Sequence, residues 1–184
     1  MPNRKYNYSA FYVKEPFVSF NLGANATPDF LYYNTLRAWK GQDSSFPFYD
    51  AHSATYNVRD DSSWETLKSR IHTRLLISKN IVLFLSSCTK PSRALIEEID
   101  YGINTLALPV IVVYPDFSSN SSIESLHMPN ATARSLWDKL PIFRDNRHKV
   151  PTVHVPMDKF LIKRALSDSV FTIQYKRKCY CYCY

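Results

Sequence analysis

Residues 81–85, Ile-Val-Leu-Phe-Leu, are five consecutive apolar residues between Asn80 and the polar loop 86–90. An apolar run of this length without alternation predicts a strand that is buried on both faces, as in a parallel sheet. Residues 109–114, Pro-Val-Ile-Val-Val-Tyr, form a second run of the same kind. We therefore expect the core of the fold to be a parallel sheet that contains both segments.

A segment with helical periodicity precedes the first of these strands. Ser62 and Glu65 have the spacing of a capping box, in which the serine bonds forward and the glutamate bonds back. Leu67, Ile71 and Leu75 then recur at intervals of four residues, which predicts one buried helical face. The predicted order is therefore helix followed by buried strand.

The same alternation continues along the chain. Strand–helix alternation repeated five times predicts right-handed crossovers and an α/β fold, a doubly wound parallel sheet of five strands in one domain. The predicted strands are 17–20, 46–49 (an edge strand because of Pro47), 81–85, 109–114 and 153–155, with 170–175 as a further edge strand; the other predicted helices are 29–40, 91–104, 131–140 and 157–166.

Composition excludes several ways of binding a nucleotide. The three glycines, Gly23, Gly41 and Gly102, are too far apart for a glycine-rich phosphate loop. The histidines are dispersed without metal-ligand spacing, and no G-x-S-x-G nucleophile motif is present. We therefore expect a site that needs neither a glycine loop nor a metal ion.

The charge and the apolar runs bear on partners and location. The net charge is 23 − 16 = +7, but the basic residues are scattered, which favours a small anionic ligand over nucleic acid. Apolar runs are far shorter than the roughly 20 residues that span a bilayer, and the N-terminus lacks the pattern of a secretory signal. We expect a cytoplasmic protein with reduced cysteines, including the alternating Cys-Tyr residues at 179–184.

One carboxylate in the predicted helix 91–104 has unusual neighbours. Glu98 lies at the flank of the apolar stripe, with Ala94 and Gly102 four residues to either side. Residues at this spacing stack on one helix face, so the two small side chains predict a shallow trough around the carboxylate. A solvated glutamate on an ordinary amphipathic helix fits the same pattern, and the residues alone leave both interpretations open.

The order of these segments resembles TIR-like domains, in particular the TIR-like subunit of Thoeris anti-phage systems. The similarity covers about residues 14–168, leaving 1–13 as an N-terminal extension and 169–184 as a C-terminal tail or added edge strand. It is carried by Phe17-Val18-Ser19-Phe20, by Phe46 to Ser53, by Arg59 to Ile71 with its Asp-Ser-x-x-Glu-Thr-Leu-Lys core, by Ser78 to Leu85, and by Ala94-Leu95-Ile96-Glu97-Glu98-Ile99.

The resemblance implies a flavodoxin-like domain that consumes NAD as its substrate, without a further cofactor or metal. It implies that Glu98 is the catalytic glutamate, which stabilises the oxocarbenium-like ribose as nicotinamide leaves. The product would be an ADP-ribose-derived nucleotide, cyclic or conjugated, that activates a separate effector. A phage-derived trigger and a homo-oligomer, without membrane attachment, are the implied context. The expected binding residues are Phe20, Asn21, Asp50, Ser87 and Ala94.

One departure from the family pattern keeps a second interpretation open. The family has a tryptophan four residues before the glutamate, and this chain has Ala94. An aromatic ring could be supplied from Trp39, Trp64 or Phe20, or activity could be lost. The alternative function is a non-catalytic TIR-like module that binds proteins. A third, nucleic-acid binding driven by the +7 charge, predicts strongly salt-dependent DNA retention.

Overall fold

The computed structural model describes residues 4–13, 27–54, 63–172 and 181–183. Within them, a parallel sheet carries helices on both faces, so the chain has an α/β fold. The strands are β1 (Tyr6–Ala10), β2 (Ser78–Phe84), β3 (Val110–Tyr114), β4 (Glu124–Ser125), β5 (Met128–Pro129), β6 (Thr152–Pro156) and β7 (Cys181–Cys183), and the α-helices are α1 (Pro28–Gln42), α2 (Trp64–Leu76), α3 (Arg93–Asp100), α4 (Ala131–Ser135), α5 (Pro141–Asn146) and α6 (Lys159–Ser167).

The sheet has the order β1-β2-β3-β6, with all neighbouring pairs parallel. Along β2, Ile81 and Leu83 face the cluster that includes α2 and α3, whereas Val82 and Phe84 face the cluster beneath α1 and α6. Both faces of the strand are therefore covered, which is the physical reason for its unbroken apolar run. The predicted parallel strands at 81–85 and 109–114 are confirmed.

Strand β1 was not predicted, because its polar residues interrupt the apolar pattern. It pairs with β2 in parallel, and its buried Asn7 replaces a hydrophobic contact by hydrogen bonds. The Asn7 amide donates to Asn80 Oδ1 at 2.8 Å, and Asn7 Oδ1 accepts from the Tyr49 backbone N–H at 2.7 Å. The strand predicted at 17–20 lies outside the described residues.

The predicted edge strand at 46–49 is wrong. This segment is not a strand, and a single parallel bridge between Asn7 and Asp50 joins it to β1. Pro47 has no N–H for a ladder, and Phe46 and Phe48 are instead buried in the cluster beneath α1 and α6. The segment nevertheless places Asp50 beside Asn7 at the edge of β1.

The predicted helices are present with shifts at their ends, whereas the short helix α5 was not predicted. The N-cap of α2 is Ser63 rather than Ser62, because the Ser63 hydroxyl accepts from the Thr66 backbone N–H at 3.4 Å. Helix α3 begins after its N-cap Ser92 and continues as a π-helical turn over Tyr101–Thr105. The predicted helix 131–140 is α4 followed by a 3₁₀ turn, and the helix predicted at 157–166 is α6.

The C-terminal edge differs from the prediction for 170–175. Ser169–Phe171 is a 3₁₀ turn, capped by Asp168 Oδ1 accepting from the Val170 N–H at 2.9 Å, and residues 173–175 lie outside the described part. Phe171 is buried in the cluster beneath α1 and α6, and its carbonyl accepts a hydrogen bond from the Asn80 side chain at 2.8 Å. The outer side of β6 instead pairs in parallel with β7, within the Cys-Tyr segment.

Gly102, in the π-helical turn after α3, lies close to the sheet. A Cβ at this position would lie 2.4 Å from Ile81 Cδ1, whereas a Cβ at Gly41 would have no atom within 4 Å. Gly41→Ala, at a helical position with open space around it, is therefore the control. We expect Gly102→Ala to be less stable than Gly41→Ala by about 1–3 kcal/mol in urea denaturation. Adding Ile81→Val, which deletes Cδ1, should recover part of that difference; equal stability of the two alanine variants would contradict this.

Candidate active site

Glu98 is placed by the packing of α3. Leu95 and Ile99 bury the helix against the sheet, and the Glu98 side chain between them reaches strand β1. There the Tyr8 hydroxyl donates a hydrogen bond to Glu98 Oε1 at 2.8 Å. The other oxygen, Oε2, is shielded from solvent and has no hydrogen-bond partner in the described part of the chain.

The surroundings of Glu98 change its acidity. Burial raises the pKa of Glu98 to about 8, while the Tyr8 hydrogen bond and the positive charge of Arg74 act in the opposite direction. The neighbouring Glu97 is different: although burial opposes it, hydrogen bonds from His72 and Lys68 lower the pKa of Glu97. Two adjacent carboxyls on one helix therefore have opposite shifts, which marks Glu98 as the candidate for chemistry.

A group of polar side chains connects Glu98 to Asp50. The His52 ring lies 5.0 Å from the Tyr8 ring, and its Nε2–H donates to the Ser9 carbonyl at 2.9 Å. Arg74 Nη1 lies 3.3 Å from His52 Nδ1. Asp50 Oδ1 accepts from the His52 backbone N–H at 2.9 Å. We call Tyr8, Asp50, His52, Arg74 and Glu98 the β1 cluster.

Protonation within the β1 cluster follows from burial. Burial lowers the pKa of His52, so the ring is neutral and accepts from Arg74 at Nδ1. Asp50 Oδ2 accepts from the Tyr33 hydroxyl at 2.6 Å, and burial followed by the Asp50 charge raises the pKa of Tyr33. The cluster therefore holds one fixed cation, Arg74, near a carboxyl whose second oxygen has no partner among the described residues.

The predicted trough around Glu98 is wrong. Gly102 is buried and meets Ile81 on the sheet, so its missing side chain lets the helix pack rather than opening the surface beside Glu98. Ala94 is half-buried and packs against the core cluster that contains Tyr8. Tyr8 of β1 is an aromatic residue that contacts Glu98, through its hydroxyl, while Trp64 lies under the Arg93 guanidinium at 3.9 Å.

A second polar group lies where the strands end. Asp29, at the start of α1, is fully buried and accepts from the Ser86 hydroxyl at 2.6 Å and the Thr89 hydroxyl at 2.9 Å. Burial raises the pKa of Asp29, against the effect of these hydrogen bonds. The exposed Ser87 donates its backbone N–H to Asp116 Oδ2 at 2.6 Å. Asp29 thus ties the loop after β2 to α1.

The structure separates the predicted site residues. Glu98 and Asp50 share the β1 cluster, whereas Ser87 belongs to the group around Asp29. Phe20 and Asn21 lie outside the described residues. Sequence reasoning missed the contributing residues Tyr8, Asp29, His52 and Arg74. The alternation Tyr6-x-Tyr8-x-Ala10 was the available signal for a strand face at Tyr8.

Two features, a metal-binding cluster and a membrane-spanning helix, are absent from the described residues. No cluster of three or more His, Cys, Asp or Glu side chains there is arranged to hold a metal ion. None of the helices described there combines the length and apolar character that crossing a membrane requires.

The fold and site define the class of this protein: an α/β domain whose helix after a buried parallel strand carries a carboxyl with a raised pKa. Residues 17–120 match a family model described as "Thoeris protein ThsB, TIR-like domain". The match spans more than half of the 184 residues, and the chain belongs to this family, which implicates it in anti-phage defence. It includes β2, α3 and Glu98, whereas β1 precedes the matched residues.

The raised pKa of Glu98 makes a prediction about stability. Because the Glu98 carboxyl holds its proton more tightly in the folded state than in the unfolded state, protonation stabilises the fold. This stabilisation is complete below the unfolded-state pKa of 4.5 and is lost as the pH rises towards the folded-state pKa of about 8. We therefore expect the wild type to lose about 1–3 kcal/mol of stability relative to Glu98→Gln between pH 5 and pH 8. Denaturant unfolding at both pH values measures this difference, and parallel pH dependence of the two proteins would contradict it.

Proposed function

We propose that this protein is an NAD-consuming TIR-like enzyme that releases nicotinamide and makes an ADP-ribose-derived nucleotide. The observation that carries the proposal is the Glu98 carboxyl, in which Oε1 accepts from Tyr8 and Oε2 has no partner within residues 4–13, 27–54, 63–172 and 181–183. The family match over residues 17–120 supports it, since that family includes NAD-cleaving members.

The proposed chemistry needs one fixed negative charge. When the bond between the ribose C1′ and the nicotinamide nitrogen breaks, the electron pair leaves with the nitrogen and neutralises the pyridinium ring. Positive charge then develops on the ribose, and an ionised Glu98 would stabilise it through electrostatics. Water at C1′ would give ADP-ribose, whereas a nucleophile from the adenine side or another molecule would give a cyclic or conjugated product.

Ionisation of Glu98 is coupled to substrate binding in this proposal. With a pKa of about 8, the carboxyl is mostly protonated at neutral pH in the absence of ligand. The cationic nicotinamide ring of NAD favours the ionised form, so binding would lower this pKa. Because Oε2 is shielded from solvent, a trigger or the substrate must first open a path to it.

The remaining roles follow the family and are part of the same proposal. Asp50 would line the NAD-binding site together with Phe20, Asn21, Ser87 and Ala94. The segment ending at Asp50 is not a strand, but it would lie beside β1 in the place that an edge strand has in flavodoxin-like winding. The enzyme would act in the cytoplasm as a homo-oligomer, respond to a phage-derived trigger, and reach a separate effector through its product.

Nicotinamide release tests the proposal. The purified protein is incubated with NAD, with and without extract from phage-infected cells, and nicotinamide is quantified by chromatography. Mass spectrometry of the triggered reaction then identifies the nucleotide product. Nicotinamide together with an ADP-ribose-derived product is the expected result. Intact NAD under every triggering condition would contradict the proposal.

The second candidate is a TIR-like interaction module without catalysis. It is favoured by Ala94 at the position of the family's tryptophan and by the shielding of Oε2. Saturable binding of a non-hydrolysable NAD analogue, lost in Glu98→Gln, would count against this candidate. Binding of a partner protein without any NAD binding would support it.

A further inference from the structure

The hydrogen bond from Tyr8 to Glu98 joins β1 to α3 across 90 residues of sequence. Tyr8 is fully buried and lies opposite Ile81 in the β1–β2 pair, so its ring has a fixed position. We propose that Tyr8 is the positioning residue for Glu98: its hydroxyl holds Oε1 and thereby presents Oε2 as the acceptor for a hydroxyl pair of the substrate ribose. The ligand in this inference, the substrate ribose, is taken from the proposed function, which the inference extends.

The geometry limits what the carboxyl can do. A carboxylate has two oxygens. The hydrogen bond from the Tyr8 hydroxyl to Oε1, at 2.8 Å, restricts rotation of the Glu98 carboxyl about its Cγ–Cδ bond. Oε2 is then the carboxyl oxygen that has no partner in the part of the chain that the structure describes, and a hydrogen bond donated to it by a ribose hydroxyl would be charge-assisted. Without the Tyr8 hydroxyl the carboxyl could turn, and both oxygens would compete for the same ligand.

The direction of donation is settled by the acidity of the two groups. Burial, followed by the charge of Glu98, raises the pKa of Tyr8 well above its ordinary value. Tyr8 therefore stays protonated and donates a hydrogen bond to Glu98 Oε1. A donor on Oε1 favours the ionised carboxyl, in the same direction as Arg74.

Other charged groups around α3 are engaged elsewhere or are shared with the β1 cluster. From α2, Arg74 acts on Glu98 directly, and Asp50 and His52 face Tyr8 from the segment after Tyr49. On α3 and its remaining neighbour α5, Glu97 pairs with His72 and Lys68, Asp100 accepts from Asn104, and Arg144 pairs with Asp145.

Tyr8→Phe tests the proposal, because it keeps the ring and deletes only the hydroxyl. Glu98 is titrated by NMR in protein with ¹³C-labelled glutamate carboxyls; the chain has five glutamates, and Glu98→Gln assigns the signal. We expect the pKa of Glu98 to rise by roughly one to two pH units. Triggered nicotinamide release at pH 7 should fall roughly 10- to 100-fold, with its acidic limb displaced to higher pH by the same amount.

Tyr6→Phe is the matched control, since Tyr6 lies on the same face of β1 and packs against the same cluster. It should leave both the titration and the pH profile unchanged. An unchanged pKa of Glu98 in Tyr8→Phe overturns the positioning role, whatever the rate. A displaced pKa in a protein that never releases nicotinamide upholds the positioning of Glu98 and instead contradicts the proposed function.

Discussion

Replacing Glu98 by glutamine will lower triggered nicotinamide release at least about 100-fold. Glutamine keeps the size of the side chain and can still accept the Tyr8 hydrogen bond at its carbonyl oxygen. It cannot become negative, so the developing charge on the ribose loses its stabilising partner, a change that typically costs about 10²–10³ in rate. Chromatographic quantification of nicotinamide at saturating NAD measures the effect.

Glu97→Gln is the matched control for this experiment. Glu97 is the adjacent residue of α3, but its carboxylate binds His72 at 2.7 Å and Lys68 at 3.4 Å on α2. The substitution removes the same charge from the same helix without touching Tyr8. We expect release within about threefold of the wild type. Equal losses in the two variants would mean that the charge of α3 matters and that Glu98 has no particular role.

The sheet could be predicted where local sequence determined it. The runs at 81–85 and 109–114 are apolar on both faces because helices cover both sides of the strands, and this condition leaves a visible pattern. Strand β1 left no such pattern, since Asn7 is satisfied by Asn80 and by the Tyr49 N–H. These partners are distant in sequence, so no local rule could anticipate a buried amide in a strand.

The candidate site shows the same limit. Glu98 was found through its spacing and through family resemblance, but the stated reason, a trough at Gly102, was wrong because Gly102 faces Ile81. The groups that determine the acidity of Glu98 are Tyr8 and Arg74, which come from other elements of the fold. Spacing along one helix identifies neighbours on that helix, whereas a pKa depends on every element that packs against it.

A second large effect, on the stability of the fold, is expected for a substitution of Tyr114. Its hydroxyl accepts from the Trp137 indole N–H at 2.8 Å and lies 2.8 Å from His154 Nδ1, and all three residues are buried. The indole can only donate, so the Tyr114 hydroxyl accepts from Trp137 and shares a second hydrogen bond with His154 Nδ1. Burial lowers the pKa of His154 to about 3, so the ring is neutral.

Tyr114→Phe should therefore lower the free energy of unfolding by about 2–4 kcal/mol. The substitution leaves two buried groups without a hydrogen-bond partner, the indole N–H of Trp137 and Nδ1 of His154. Each unpaired buried group costs about 1–3 kcal/mol. Tyr49→Phe, at a half-exposed ring, is the control and should change stability by less than about 0.5 kcal/mol. Urea denaturation at pH 7.5 measures both. Adding Trp137→Phe to Tyr114→Phe should cost less than the single changes summed, because the indole donor is then no longer left unpaired; simple additivity would contradict this account of the core.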